Sequence, residues 1–458
     1  MHFINRSIYI ILSILICLGF TACEEKSPTL KIKNTDRPNI IVILPDDLGW
    51  ADVGYHGSEI KTPNIDKLAK TGKILQQQYV MATCTPTRVA LMTGKYPSRY
   101  GVLSPAYGEV ITLGHPTLAS VLSKMGYFTA IVGKWHMGSP PYTPLKYGFQ
   151  TSYGYFDGQI DPYTHEYKTA TELTEARSWH RNDEYLNESG RHVTDLITDE
   201  AIRVIETERE EPFFLYITHH VPHFPLDEPE EWMRIYNDRP LMHPSRKLFA
   251  ASVTHLDEGI GKIVDALERT GKRENTIIVF SSDNGGQFNW YSDTQYKGRY
   301  ADKPHAVLGN NYPLRGWKGD LYEGGVRVPA FFNWPGVLKP GTIDHPVHIA
   351  DWMPTLANVA GKKPPLAQNL DGENIWPIVK GDEVRNEAHP FYWKTPHAQA
   401  VRQQDWKLIL HRNGDQELFN LKDDFRETEN LLDERVDKAD ELLKLLREME
   451  QADKPRKY

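Results

Sequence analysis

Four stretches of the chain are almost continuously apolar and break off at turn-forming or charged residues: positions 39–44, 127–132, 212–218 and 276–280. A strand buried on both faces of a parallel sheet reads this way, whereas a half-exposed strand alternates. Between these runs the spacing changes to the helical period. Positions 63–70, 117–125, 195–208 and 248–270 are expected to be helices, the last carrying Leu256, Ile260, Ile263 and Leu267 on one core-facing stripe. Strand alternating with helix predicts an α/β architecture with a large, mostly parallel central sheet. Beyond about residue 386 the pattern shortens to strands near 400–402, 406–411 and 417–421, followed by a charged amphipathic helix over 437–451. We therefore expect a main domain over 37–385 and a small C-terminal subdomain of antiparallel strands and a helix over 386–458.

The N-terminus does not follow this pattern. Arg6 precedes an apolar run from Ile8 to Phe20, short for a membrane span and typical of a signal peptide. The run ends Phe20-Thr21-Ala22-Cys23, which resembles a bacterial lipoprotein box. The expectation is a signal peptide over 1–22, lipidation of Cys23, a polar tether over 23–36, and export to the periplasm or cell surface. Membrane attachment would then be through that anchor alone.

Composition narrows the function. The 458 residues are 40% hydrophobic and 25% charged, as in ordinary soluble domains, and carry a formal net charge of −8. A nucleic-acid binder would show a basic bias, so that class is set aside. An anionic small substrate stays open, since a local cationic pocket can sit in an acidic protein. The chain has three cysteines, Cys17, Cys23 and Cys84. With Cys17 lost in the signal and Cys23 acylated, Cys84 has no disulfide partner in an exported protein, and calls for a chemical explanation.

The candidate chemistry gathers where the predicted strands end, the usual ligand-binding edge of such sheets. Asp46 and Asp47 follow the first strand, and Asp283 and Asn284 follow the strand at 276–280. These are hard oxygen donors without a soft thiolate pair or histidine cluster, which favours Ca²⁺ or Mg²⁺ over zinc. Lys134 and His136, two residues apart, would project alike from an extended backbone. His223 closes the segment His219-His220-Val221-Pro222-His223. Within Cys84-Thr85-Pro86-Thr87-Arg88, Thr85 is a plausible N-cap and Pro86 suits the first helical position. Cys84 would then sit just before a helix N-terminus, with Arg88 one turn on, a setting suited to an oxyanion.

Cys84-Thr85-Pro86-Thr87-Arg88, continued by Leu91-Met92-Thr93-Gly94, resembles the signature of the formylglycine-dependent sulfatases, with Thr87 where that family usually has Ser. Gly133-Lys134-Trp135-His136-Met137-Gly138, the two carboxylate-bearing strand ends, His223, the run Leu314–Pro329 and Asp351–Leu356 resemble further family segments in the family's order. The resemblance covers about residues 37–458. It implies an alkaline-phosphatase-like fold and a sulfuric ester hydrolase in which a maturation enzyme oxidises Cys84 to formylglycine. It further implies Ca²⁺, or Mg²⁺, held by Asp46, Asp47, Asp283, Asn284 and residue 84. Arg88 and His136 would support the nucleophile, Lys134 and Lys318 would bind the sulfate, and His223 would face the ester oxygen.

The segment Asp161-Pro162-Tyr163-Thr164-His165 resembles a substrate-facing loop of arylsulfatase A and B relatives, so His165 is expected to bind substrate. Tyr296, Lys297, Arg299 and His305 in the long polar stretch 289–311 could join it. The expected substrate is a sulfated carbohydrate, attacked from a chain end, with a galactose- or galactosamine-type 4-sulfate as the specific case. Two other readings compete. A phosphodiesterase or phosphonate hydrolase of the same superfamily is disfavoured by the paired Lys134 and Lys318 and by the lack of an Asp/His two-zinc set. A non-catalytic glycan-binding protein would not need Cys84, Arg88 and the carboxylates together.

Overall fold

The computed structural model describes residues 37–166, 178–239, 242–289, 308–361, 364–366 and 369–457. The expected signal, tether and Cys23 anchor, and Tyr296, Lys297, Arg299 and His305, lie outside the described residues.

A ten-stranded sheet organises the fold. Its order from one edge is Gly341–Ile343, Lys73–Leu75, Ala330–Asn333, Thr276–Ser281, Asn39–Ile43, Phe213–Thr218, Phe128–Lys134, Thr151–Tyr155, Trp179–Arg181 and Glu184–Tyr185. The five strands from Thr276–Ser281 to Thr151–Tyr155 are mutually parallel, and antiparallel pairs flank them. The apolar runs are continuous because both faces are covered. Ile40, Val42, Phe214, Tyr216, Ile277 and Val279 face one core, while Ile41, Ile43, Leu215, Ile217, Ile278 and Phe280 face the other. The first core is closed by helices Cys84–Thr93, Leu118–Lys124 and Trp352–Ala360, the second by Pro63–Lys70, Val193–Glu206 and Pro244–Arg269.

The third strand in sequence runs to Lys134, two residues past the expected end. Lys134 is paired with Tyr155 in the sheet, and its ammonium finds a carboxylate in the interior instead of water. A four-stranded antiparallel sheet, Phe391–Lys394, Ala398–Gln403, Trp406–His411 and Gln416–Asn420, is backed by helix Val436–Glu450. Its Phe391, Trp393, Ala400, Ile409 and Phe419 join the first core. Lys407, fully buried, bonds Glu323 at 3.0 Å and Glu427 at 2.9 Å, which ties this sheet to the segment just beyond Lys318. Removing one partner from so buried a cluster typically costs about 3–5 kcal/mol. No helix among the described residues is long and apolar enough to cross a membrane.

Burial, with the nearby His255 adding to it, pushes the ring of His219 down to about 3. The unfolded chain therefore binds a proton below the ordinary histidine value that the folded chain refuses. Stability from this group is complete above about pH 6.5 and falls as the pH drops toward 3. Neither ring nitrogen of His219 has a hydrogen-bond partner among the described residues, so His219→Leu tests it directly. Urea unfolding at pH 7 and pH 5 should show the variant losing about 2 kcal/mol less on acidification than the parent. Equal losses would contradict a neutral, buried imidazole.

Candidate active site

Four of the parallel strands deliver polar residues to one edge. Asn39–Ile43 runs on to Asp46 and Asp47, Phe128–Lys134 ends in Lys134 and leads to His136, Phe213–Thr218 leads to His223, and Thr276–Ser281 leads to Asp283 and Asn284. Two of these residues adopt a left-handed backbone, Asp47 at φ 67° and His136 at φ 48°. Such conformations are uncommon away from glycine and concentrate where a side chain must be re-aimed. The extended backbone expected for Lys134–His136 is therefore corrected. Lys134 points into the interior, and the turn at His136 carries its ring into the cavity described below. Gly158 allows that placement, because a Cβ there would lie 2.7 Å from His136 Nε2.

Cys84 is the first residue of helix Cys84–Thr93, preceded by Thr83 in an extended conformation. The expected cap at Thr85 is thus displaced by two residues. Thr85 Oγ1 instead accepts from the Ala106 amide at 3.3 Å, and Pro86 falls at the third helical position, where the amide would still lack an intrahelical partner. Thr87 Oγ1 accepts from the Met81 amide at 3.0 Å and donates to the Met81 carbonyl at 3.3 Å, fixing the chain as it enters the helix. Arg88 lies one turn in. Its Nη2 donates to Asp283 Oδ2 at 2.9 Å and its Nη1 to the Lys134 carbonyl at 3.0 Å, an oxygen that Thr218 Oγ1 also reaches at 2.8 Å.

The charges are paired in a closed set. Lys134 bonds Asp46, Lys318 Nζ lies 2.6 Å from Asp47 Oδ1, and Arg88 holds Asp283. Asn284 Nδ2 donates to Asp47 Oδ1 at 2.7 Å, and the Asp47 amide donates to Asp283 Oδ1 at 3.2 Å. His223 Nε2 stands 3.8 Å from Asp47 Oδ2 while Nδ1 meets the Phe224 carbonyl. Burial pushes the Cys84 thiol up, more than Lys134 and Lys318 pull it down, so as a thiol it stays protonated and a weak nucleophile. Burial and then the Asp46 charge raise Asp283, with Arg88 opposing. Burial alone would lower Lys318, yet Asp47 and its neighbours hold it above the ordinary lysine value. His136 is driven well below its ordinary value by burial and by Lys134, Arg88 and Lys318.

This donor set fits a hard divalent cation. Asp46 Oδ1 and Asn284 Oδ1 are buried without a hydrogen-bond partner among the described residues. Ligand atoms of Asp46, Cys84 and Asp283 lie within 4.8 Å of one another, as do those of Asp46, Asp47 and His223. Orphaned buried oxygens are costly unless something else satisfies them. Three carboxylates against Lys134, Lys318 and Arg88 balance to zero, so a divalent ion would leave the centre net positive toward an anion.

His165 is not part of this centre. It does not line the cavity at Cys84; its ring stacks on Trp179 at 4.8 Å and its Nε2 meets the Arg191 carbonyl at 3.0 Å. Asp161 Oδ1 accepts from the amides of Tyr163 and Thr164, closing the 161–165 loop on itself. The loop packs inward because its aromatic and imidazole rings find partners beneath it. His165→Ala is therefore expected to lower the melting temperature and to change turnover of large and small ester substrates by the same factor. A selective loss on the large ester would return the loop to the recognition surface.

The cavity itself has a volume of about 690 Å³, is open to solvent, and is lined by Cys84, His136, His223 and Lys318 together with Tyr107, Gln159, Gln287, Phe288 and Trp317. The last five escaped sequence reading. Trp317 and Phe288 lie one and four residues from motif positions, and only their partial exposure marks them.

With that geometry in place, comparison with known proteins is direct. Residues 38–362 match the family model described as Sulfatase, and residues 316–454 match N-sulphoglucosamine sulphohydrolase, C-terminal. Arylsulfatase J of Mus musculus is 34% identical over 420 residues, covering 85% of this chain and 67% of its own length. N-acetylgalactosamine-6-sulfatase of Mus musculus is 31% identical over 426 residues, covering 87% of this chain and 75% of its own. The crystal structure of Ps i-CgsB in complex with k-i-k-neocarrahexaose superposes with a TM-score of 0.81 at 31% identity, over 92% of this chain and 94% of that one. Cys84 before Arg88, two lysines on a carboxylate cluster and these matches along nearly the whole described chain lead to one conclusion: the chain belongs to the sulfatase family, and is a sulfuric ester hydrolase.

Proposed function

We propose that the substrate is a sulfated carbohydrate, that the enzyme removes sulfate from a chain end, and that Cys84 acts after conversion to formylglycine by a maturation enzyme. The observation that carries this reading is the placing of Lys134, Lys318 and Arg88 around three carboxylates, with Cys84 opening into a cavity that also holds two histidines. Ca²⁺ is the proposed ion, with Mg²⁺ the alternative, and Asp46, Asp47, Asp283 and Asn284 would hold it. Once in place, the hydrated aldehyde would supply a hydroxyl nucleophile at position 84, and the ion would supply positive charge to acidify it.

The chain's own residues account for the rest. Arg88, fixed by Asp283 and the Lys134 carbonyl, holds positive charge beside position 84. Lys134 and Lys318 would exchange part of their hold on Asp46 and Asp47 for the sulfate oxygens, and their stabilisation grows as charge shifts in the transition state. His223 donates through Nδ1 to the Phe224 carbonyl and lines the cavity, where it would protonate or polarise the leaving sugar oxygen. Lys318, also lining the cavity, can share that role. His136, with no partner on either ring nitrogen among the described residues, would accept the proton that lets sulfate depart.

A cavity of this volume suits a ligand of small-molecule size, which supports action at a chain end. The oligosaccharide bound to Ps i-CgsB supports a carbohydrate as the ligand class. A galactose- or galactosamine-type 4-sulfate remains the specific proposal, alongside the 6-sulfate suggested by the name of the N-acetylgalactosamine-6-sulfatase relative. Export with a lipid at Cys23 belongs to the same proposal and rests on residues 8–23. Matured enzyme should release free sulfate from one member of a panel of defined sulfated oligosaccharides and leave internal sulfates untouched. Hydrolysis confined to phosphate or phosphonate esters would overturn the reading, and desulfation inside an intact polymer would overturn action at chain ends.

A further inference from the structure

Phe288 and Trp317 stand between two cavities. Both line the cavity that contains Cys84, and both line a second one of about 700 Å³. Their rings touch, with centroids 4.8 Å apart and planes at 44°, and Phe288 keeps 42% of its surface exposed. A large aromatic ring left that open on the lip of a binding cavity gains nothing from core packing, and marks a contact surface. Trp317 is also the residue before Lys318, whose ammonium meets Asp47, so whatever stacks on Trp317 is held next to the sulfate-binding centre.

Apart from Met242, the other side chains that line the second cavity are polar. Asp238, Arg239, His243 and Asn310 contribute to it. Arg246 also lines it, with Nη1 on Asp52 and the Leu308 carbonyl and Nε on Glu59, while its Nη2 has no hydrogen-bond partner among the described residues. Asp238 and Glu59 offset Arg239 and Arg246 in this lining, so the cavity does not have the cationic excess that a second sulfate would require. An aromatic plate facing carboxylate, guanidinium and amide groups suits an uncharged pyranose, whose faces present C–H groups and whose rim presents hydroxyls.

We propose that this second cavity binds the sugar residue glycosidically linked to the sulfated one. Phe288 and Trp317 form the platform against which it stacks, and Asp238 and Arg239 read its hydroxyls. The proposal rests on the carbohydrate reading above and gives it a length: the enzyme recognises at least a disaccharide, with the sulfated residue at Cys84 and its neighbour beyond Trp317.

The test uses matured full-length enzyme and N-acetylgalactosamine 4-sulfate and 6-sulfate, each as the monosaccharide and as the non-reducing end of a disaccharide. For the sulfate position that is turned over, kcat/KM should be at least about ten-fold higher for the disaccharide. That ratio should collapse toward one in Phe288→Ala and Trp317→Ala, mainly through KM, and Trp317→Tyr should restore most of it. Taking the ratio within each variant removes any change shared by both substrates. As an activity-independent readout, calorimetry in the Cys84→Ala background should show disaccharide affinity falling about ten-fold on adding Phe288→Ala or Asp238→Ala. Equal kcat/KM for the two lengths in the parent enzyme, or a preference that survives both aromatic truncations, overturns the second site and leaves the carbohydrate reading standing. Turnover of a small aryl sulfate with none of any glycan removes the carbohydrate reading, and the second site with it.

Discussion

Cys84→Ala is expected to fold and to lose sulfate release by a factor on the order of 10⁴ or more, as happens when a covalent nucleophile is deleted. The side chain is small and packed at the start of helix Cys84–Thr93, so its truncation should lower stability by only about 1 kcal/mol. Arg88, Lys134 and Lys318 keep their partners in the variant, because the bonds to Asp283, the Lys134 carbonyl, Asp46 and Asp47 do not pass through the sulfur. Peptide mass spectrometry across residues 81–88 of active parent enzyme should show the aldehyde or its hydrate in place of the thiol. An active protein carrying only unmodified cysteine would remove the proposed nucleophile. So would a Cys84→Ala variant that still turned over the substrate at a tenth of the parent rate.

Asp283→Ala is expected to be damaging twice over, and the two effects separate experimentally. Asp283 is the partner of fully buried Arg88 and an acceptor for the Asp47 amide, so its removal leaves an uncompensated guanidinium in the interior. Breaking such a pair typically costs about 3–5 kcal/mol, and this loss should persist in the presence of a chelator. The second effect is loss of cation binding. Calcium added to metal-stripped parent enzyme should raise its melting temperature in proportion to the logarithm of the excess over Kd, and chelation should abolish turnover. Asn284→Ala isolates that effect. It removes an orphaned oxygen and the Nδ2 hydrogen bonds to Asp47 and the Gly285 carbonyl, so it should unfold about 1–2 kcal/mol more easily yet lose most of the calcium-induced rise. A parent enzyme whose melting temperature ignores calcium and magnesium, and whose rate survives chelation, would show that these oxygens do not form a metal site.

The sequence alone determined the strands, the sheet class and the chemical inventory. Runs such as Ile40–Leu44 and Phe213–Ile217 can be buried only between two covered faces, and so specify central parallel strands without further information. The edge strands were less legible. Trp179–Arg181, Glu184–Tyr185 and Gly341–Ile343 are short and mixed in polarity, and they exist because a neighbouring strand supplies the hydrogen bonds. Asp46, Asp47, Cys84, Arg88, Asp283 and Asn284 stand out as chemistry-bearing residues at predicted strand ends and a helix start, while Lys318 and the roles of Lys134, His136 and His223 could be named only through the resemblance of their motifs to the sulfatases.

Tertiary structure decided which carboxylate each cation meets and where each ring points. Lys134 pairs with Asp46 and Lys318 with Asp47 across 88 and 271 positions of chain, a distance at which residue identity carries no directional information. The left-handed backbone at Asp47 and His136 redirects side chains that a strand would have alternated. His165 and Trp317 show the same limit from opposite sides. Each is a polar or aromatic residue in a loop near a motif, yet one ring finds Trp179 underneath it and is drawn into the interior. The other finds Phe288 beside it and remains at the lip of the cavity. Burial of a ring depends on the partners that distant segments bring to it, and those partners are a property of the fold.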